Sequence, residues 1–239
     1  MSPPPELVVL IDVDNTLLDN DRVILDLGDH LVREFGAQQA QRYWAAFEQL
    51  RTELGYADYL GALQRYRARE AEDAMNDPQL LQMSTFLIDY PFAERLYPGA
   101  LAVLDRLGRL AQTVIVTDGD VVFQPRKVQR SGLWQAVGGR VLIYVHKELM
   151  LDAVQRRYPA QHYVMVDDKL RILAAMKRVL GERLTTVFVR QGHYALDPQQ
   201  AADHPSADIT IDRTGELIDM DPGRLRGESR AGQSHKENA

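Results

Sequence analysis

Leu7-Val8-Val9-Leu10-Ile11-Asp12-Val13-Asp14-Asn15-Thr16-Leu17 is the stretch that decides the fold. Its first five residues are apolar and rich in β-branching, the pattern of a strand buried on both faces, and two acids follow at once. Similar runs recur at 113–116, 140–145, 163–166, 185–189 and 208–211. Helical stripes lie between them, one made of Leu101, Leu104, Leu107 and Leu110 and another of Leu170, Leu173, Met176 and Leu180. Strands alternating with helices predict an α/β fold, a parallel sheet with helices on both faces.

The interval after the first strand breaks this rhythm. It holds only helical patterns, first Val23, Ile24, Leu27, Leu31 and Phe35, then Tyr43, Trp44, Phe47, Leu50 and Leu54. An all-helical insertion is therefore expected over 21–95, with the turn signal Tyr97-Pro98-Gly99 marking the return to the sheet. The sheet domain then comprises 1–20 and 96–221. From Pro222 to Ala239 the chain is polar and lacks the apolar surface to order itself, so a flexible tail is expected there.

Composition narrows the chemistry. The 239 residues include no cysteine, which excludes disulfides, thiolate metal sites and a cysteine nucleophile. Carboxylates, hydroxyls, lysine, histidine or a metal held by oxygen must do the work. With 28 Lys+Arg against 34 Asp+Glu, a net charge of −6 and no basic stripe, nucleic acid is not an expected partner. No apolar run approaches the roughly 18 residues of a membrane span, and no basic leader opens the chain, so the expected location is the cytoplasm. The sequence does not decide between monomer and homodimer.

In open α/β sheets ligands sit outside the carboxyl ends of the strands. Asp12 and Asp14 close the first strand there, and they converge only if the chain turns just after Asp12, where Asn15-Thr16 supplies turn chemistry. The second strand runs into Thr117-Asp118-Gly119-Asp120, whose glycine lets backbone approach a ligand. The third runs into Val145-His146-Lys147, and by itself a strand-end lysine is an ordinary surface charge. The fourth ends in Val166-Asp167-Asp168-Lys169, two adjacent acids whose repulsion a cation would relieve.

Strand ends carrying Asp-x-Asp, Thr, Lys and Asp-Asp in that order closely resemble the haloacid dehalogenase-like superfamily of hydrolases, in particular members with an all-helical cap after the first motif. The resemblance runs from Leu7 to about residue 218; Asp-x-Asp-x-Thr-Leu is its most specific part, and residues 124–133 resemble the helix after the family's second motif. It implies a Rossmann-like sheet in the order 5-4-1-2-3 and Mg²⁺-dependent phosphoryl transfer. By the same resemblance Asp12 is the nucleophile, and Asp14 is the acid for the leaving alcohol and then the base for water. Thr117 bonds a phosphoryl oxygen, with Asp118 and Gly119 beside the substrate, and Lys147 neutralises charge. Mg²⁺ is held by Asp12, the backbone carbonyl of Asp14 and Asp167, with Asp168 near the same shell. The expected activity is hydrolysis of a small phosphorylated metabolite, the alternatives being a phosphomutase or a catalytically silent binding module.

Two departures from the family pattern stand out: Asp-Gly-Asp after Thr117 where relatives often have Asn-Gly, and Glu148 after Lys147 where proline is common. Lys127 competes with Lys147, but helical placement puts it on an exposed face or against the cap. Lys169 reads as a surface charge at a helix start, His146 as a strand-end neighbour, and Arg190 to Tyr194 as a connecting turn. Tyr56, Asp58, Tyr59 and Tyr66 read as cap core.

Overall fold

The computed structural model describes residues 4–69 and 77–228. Residues 70–76, inside the expected insertion, and 229–239, inside the expected tail, lie outside the described residues.

Each apolar run singled out in the sequence forms a strand. In chain order the elements are β1 (Leu7–Ile11), α1 (Asn20–Phe35), α2 (Ala37–Leu54), α3 (Tyr59–Arg69), α4 (Asp77–Asp89), α5 (Ala100–Leu110), β2 (Gln112–Asp118), α6 (Phe123–Arg130), α7 (Leu133–Ala136), β3 (Val141–Tyr144), α8 (Leu151–Arg157), β4 (His162–Asp167), α9 (Leu170–Leu180), β5 (Leu184–Val189), α10 (Gly192–Leu196), α11 (Pro198–Asp203), β6 (Ile209–Ile211) and α12 (Pro222–Leu225). The strands make one sheet, ordered β3-β2-β1-β4-β5-β6, and every pairing is parallel. Read from its far edge, the order of the first five strands is the expected 5-4-1-2-3. The difference is β6, which pairs with β5 through Val187 and Ile209 and extends that edge.

β1 lies between β2 and β4, so both its faces are covered. Val9 and Ile11 enter a core with α1, α5 and the rest of the insertion, whereas Val8 and Leu10 face α8 and α9 on the other side. That two-sided burial is why the strand shows no polar alternation. On α9 the expected stripe of Leu170, Leu173, Met176 and Leu180 is buried. On α5 it is shifted: Ala100, Val103, Leu104 and Leu107 are buried and Leu101 is exposed, because the helix turns one residue away from the leucine spacing.

Helices α1 to α4 stand between β1 and the 3-10 turn at Phe92–Arg95. Their apolar faces share a core with that half of the sheet through Phe92 and Phe123. At the other end, Pro222–Leu225 is helical and Leu225 is buried, so the order expected to end at Pro222 continues to 228. One buried leucine and an Asp221 cap on the Gly223 amide suffice to hold that turn. Among the described residues no helix is long and apolar enough to cross a membrane.

Candidate active site

Asp12 and Asp14 are brought together by a turn that begins as β1 ends. The amides of Thr16, Leu17 and Leu18 all converge on the Val13 carbonyl, at 3.2, 2.9 and 2.9 Å. Asn15 sits at φ 59°, among the described residues the one non-glycine with positive φ. Asparagine tolerates that left-handed conformation. Its side chain then accepts from the amides of Asn20 and Asp21, which fixes the start of α1 over the strand end.

Around Asp12 the strand ends deliver a buried charge cluster. Lys147, just past β3, is 1% exposed, and its ammonium bonds to Asp12 Oδ1 and lies 2.7 Å from Asp167 Oδ2. Its own amide donates to Asp118 Oδ1 at 2.7 Å, so the β2 end also sets the lysine's position. Burial opposes the lysine's charge, but Asp12, Asp167 and Asp118 outweigh it and hold its pKa above the ordinary value. Burial pushes the Asp118 carboxyl up to about 6 against the pull of Lys147, and Asp12 and Asp167 add to the rise.

Asp12, Asp167 and Asp168 are 2%, 0% and 1% exposed and each presents an oxygen within 4.8 Å of the others. Burial raises the pKa of Asp167 and, more strongly, of Asp168. Among the described residues, Asp12 Oδ2 and both oxygens of Asp168 have no hydrogen-bond donor. Orphaned carboxylate oxygens at one point are what a hard divalent cation would satisfy, so the residues present fit Mg²⁺. They fit it with a changed emphasis. Asp167 is engaged by Lys147 and by the Lys169 amide, whereas Asp168, expected only near the shell, has both oxygens free. The Asp14 side chain points elsewhere and is not in this cluster.

Asp14 belongs to a second network built by α6. Lys127 Nζ lies 2.6 Å from Asp14 Oδ1 and 2.9 Å from Asn20 Oδ1, and Gln124 Nε2 reaches Asp14 Oδ2 at 3.3 Å and Thr117 Oγ1 at 3.0 Å. Asp120 caps α6 by accepting from the amides of Val122 and Phe123. Gly119 is needed for the approach, because a Cβ there would stand 2.5 Å from Gln124 Cβ. Lys127 is 1% exposed, so of the two places expected for it the open helix face is ruled out, and its bond to Asn20 sets it against the start of α1.

Above both networks is a cavity of about 870 Å³ between the strand ends and the insertion. Asp14, Asp118, Gly119, Gln124 and Lys127 line it from the sheet, and Trp44, Phe47, Tyr56 and Tyr59 from the helices. Tyr59 and Tyr66 are buried as expected of insertion core, and Asp58 caps α3 through the Gly61 amide; Tyr56 faces the cavity. His146 also lines it, against Gly55 of the insertion. Lys169 is half-buried with its amine 4.0 Å from Asp168, not a free surface charge. The turn at Arg190 to Tyr194 does more than connect: the His193 amide and ring bond Asp21, and Gly192 at φ 73° packs on Asn15.

Gln124, Lys127 and Asn20 are the residues that the strand-end motifs do not reveal. For Gln124 and Lys127 the signal is their spacing of three, which puts two polar groups on one face of α6; Asn20 has no such signal.

Residues 7–179 match the family model described as haloacid dehalogenase-like hydrolase. A solved structure classed as a haloacid dehalogenase-like hydrolase, from Burkholderia xenovorans LB400, is 66% identical with a TM-score of 0.86, covering 91% of this chain and all of that one. A HAD-hydrolase from Bacillus subtilis bound to magnesium is 17% identical with a TM-score of 0.59, covering 90% of this chain and 98% of its own. L-2-haloacid dehalogenase from Xanthobacter autotrophicus, with chloropropionic acid covalently bound, is 17% identical with a TM-score of 0.55 over 89% of this chain and 96% of its own, a likeness of fold. The search of curated proteins gave no match. With a family model matching residues 7–179 and a solved relative 66% identical over 91% of this chain, the chain belongs to the haloacid dehalogenase-like hydrolases.

Proposed function

We propose that the protein is a Mg²⁺-dependent phosphatase acting on a small phosphorylated metabolite. The observation that carries this is Asp14: a second carboxylate, two residues after Asp12, lines the substrate cavity and is gripped on both oxygens by Lys127 and Gln124. Displacing a halide from carbon needs no acid for the leaving group. Expelling an alkoxide from phosphorus does, and the water that then attacks the aspartyl phosphate needs a base.

Asp12 attacks phosphorus and forms an aspartyl phosphate, which divides one displacement into two. Its oxygen is aimed by Lys147, whose charge also offsets that of the incoming phosphate. Asp14 gives a proton to the leaving oxygen and then takes one from the attacking water. Thr117, buried at the β2 end, offers its hydroxyl to a phosphoryl oxygen, with Asp118 and Gly119 forming the adjoining wall. Asp12 and Asp168 would hold Mg²⁺ with Asp167 and the Asp14 carbonyl. When bound, the ion supplies positive charge that lets an anionic nucleophile meet an anionic ester. The helices α1 to α4 act as the cap that covers the cavity and excludes water.

Incubation with Mg²⁺ and a panel of sugar, nucleotide and carboxylate phosphates, with 2-haloacids as a separate arm, tests the proposal. Phosphate release that EDTA abolishes is the expected result. Halide release without phosphate release would refute it.

A further inference from the structure

We propose that Lys127 is a positioning residue for Asp14: it fixes the acid–base carboxylate against the strand ends while leaving the chemistry to Asp14 itself. This rests on the phosphatase reading of Asp14.

A lysine is seldom buried without strong cause. Here the whole stem and ammonium are enclosed, with Nζ on Asp14 Oδ1 at 2.6 Å, on Asn20 Oδ1 at 2.9 Å, and 5.2 Å from the centre of the Phe123 ring. Net stability is a poor explanation, because a buried ion pair is commonly no better than apolar packing of the same volume. What such a pair does supply is a fixed position. Gln124, one turn earlier on α6, takes the other Asp14 oxygen and ties it to Thr117, so the carboxylate is held at two points and cannot rotate. The surrounding sequence is arranged to aim these two side chains. Asp120 caps the helix, and Gly119 leaves room for Gln124 to pass. Asn20, at the first turn of α1, is the third contact, so the same ammonium joins the sheet's acid to the start of the insertion.

A positioning role has a kinetic signature that a packing role lacks. On p-nitrophenyl phosphate the leaving group departs without a proton, so forming the aspartyl phosphate does not need Asp14, whereas its hydrolysis does. Lys127→Met should therefore lower kcat and KM together on this substrate and leave kcat/KM much less affected. On an alkyl phosphate, where departure needs the acid, kcat/KM should fall about a hundredfold, within the usual range for lost acid–base catalysis. Lys127→Gln keeps a donor on the stem and should lie between the wild type and the methionine variant; it also serves if Lys127→Met does not fold. An equal fall in kcat/KM on both esters would mean general damage and would overturn the assignment. A crystal structure of either variant gives a readout independent of turnover. Asp14 displaced from Gln124 supports the proposal, and Asp14 unmoved overturns it, whether or not the wild-type enzyme releases phosphate from any ester. Absence of phosphate release by the wild type across the panel would instead count against the phosphatase reading alone.

Discussion

Asp168→Asn should make the metal-free protein more stable while removing its response to Mg²⁺. Three carboxylates, Asp12, Asp167 and Asp168, are enclosed around one buried ammonium, and Lys169 stands 4.0 Å away and half-buried. Among the described residues both Asp168 oxygens lack a donor, so a charge on this side chain is the least compensated of the three, in keeping with its raised pKa. An amide keeps its shape, removes the charge and can donate to the orphaned Asp12 oxygen. The gain should be about 2 kcal/mol, the size of the penalty for leaving such a group unpaired. For a chain of this length that raises the metal-free Tm by roughly 4–8 °C. In the wild type, Mg²⁺ at a hundred times its Kd should add about 2.7 kcal/mol, and the variant should lose most of that shift. Lys147→Met is the opposite control: it strips the one enclosed cation from the carboxylates and should cost about 3–5 kcal/mol. Thermal melts of EDTA-treated protein, with and without added Mg²⁺, measure all three. A lower Tm for metal-free Asp168→Asn, or a Mg²⁺ shift equal to that of the wild type, would show that the acids are not a metal site.

Asp12→Asn should leave a folded protein whose phosphatase rate falls by more than about a thousandfold, since the nucleophile is gone; near-normal release of phosphate would end the covalent mechanism. Gly119→Ala should cost about 1–3 kcal/mol and most of the activity, because the new Cβ meets Gln124 Cβ at 2.5 Å and pushes that side chain off Thr117; melts and kcat on one ester test both halves. His30 lies in α1, stacked on Phe86 of α4 with ring centres 4.3 Å apart, and burial holds its pKa below the usual imidazole value, with Glu34 opposing and Arg33 assisting. The native state thus prefers neutral imidazole, and its contribution is present above about pH 6.5 and lost as the pH falls below it. Urea unfolding at pH 7 and pH 5 should show this loss in the wild type and a smaller one in His30→Phe.

The parts of the fold that were legible in the sequence are those set by local burial. Five apolar residues in β1 announce a central strand because both faces are covered, and the acids that follow announce the site because strand ends are where an α/β sheet binds ligands. The position of β6 was less legible: the run at 208–211 is plain, but that it extends the sheet beyond β5 depends on a pairing, Val187 with Ile209, that the run itself does not reveal. The order past Pro222 was hidden for a similar reason, since a single leucine filling a gap is invisible in a composition dominated by polar residues.

The lysines show where sequence reasoning stops, and why. Lys127, Lys147 and Lys169 all lie near motif residues, and by residue type each is an exposed cation. Whether a lysine is fully enclosed depends here on a carboxylate arriving from a distant segment, which Lys127 and Lys147 have and the half-buried Lys169, beside its neighbour Asp168, does not. Lys147 meets Asp12 and Asp167 across the sheet, Lys127 meets Asp14 and Asn20 across the turn after β1, and Lys169 stands 4.0 Å from Asp168 and 5.0 Å from the centre of the Tyr194 ring. Those contacts also sort their roles. Lys147 touches the proposed nucleophile and so bears on charge, Lys127 touches the proposed acid and so bears on orientation, and each carboxylate of the Asp12–Asp14 pair thereby has a lysine of its own. The two acids are two residues apart in the chain and need different environments to do different work, and separate cations on separate elements are how this fold keeps those environments apart.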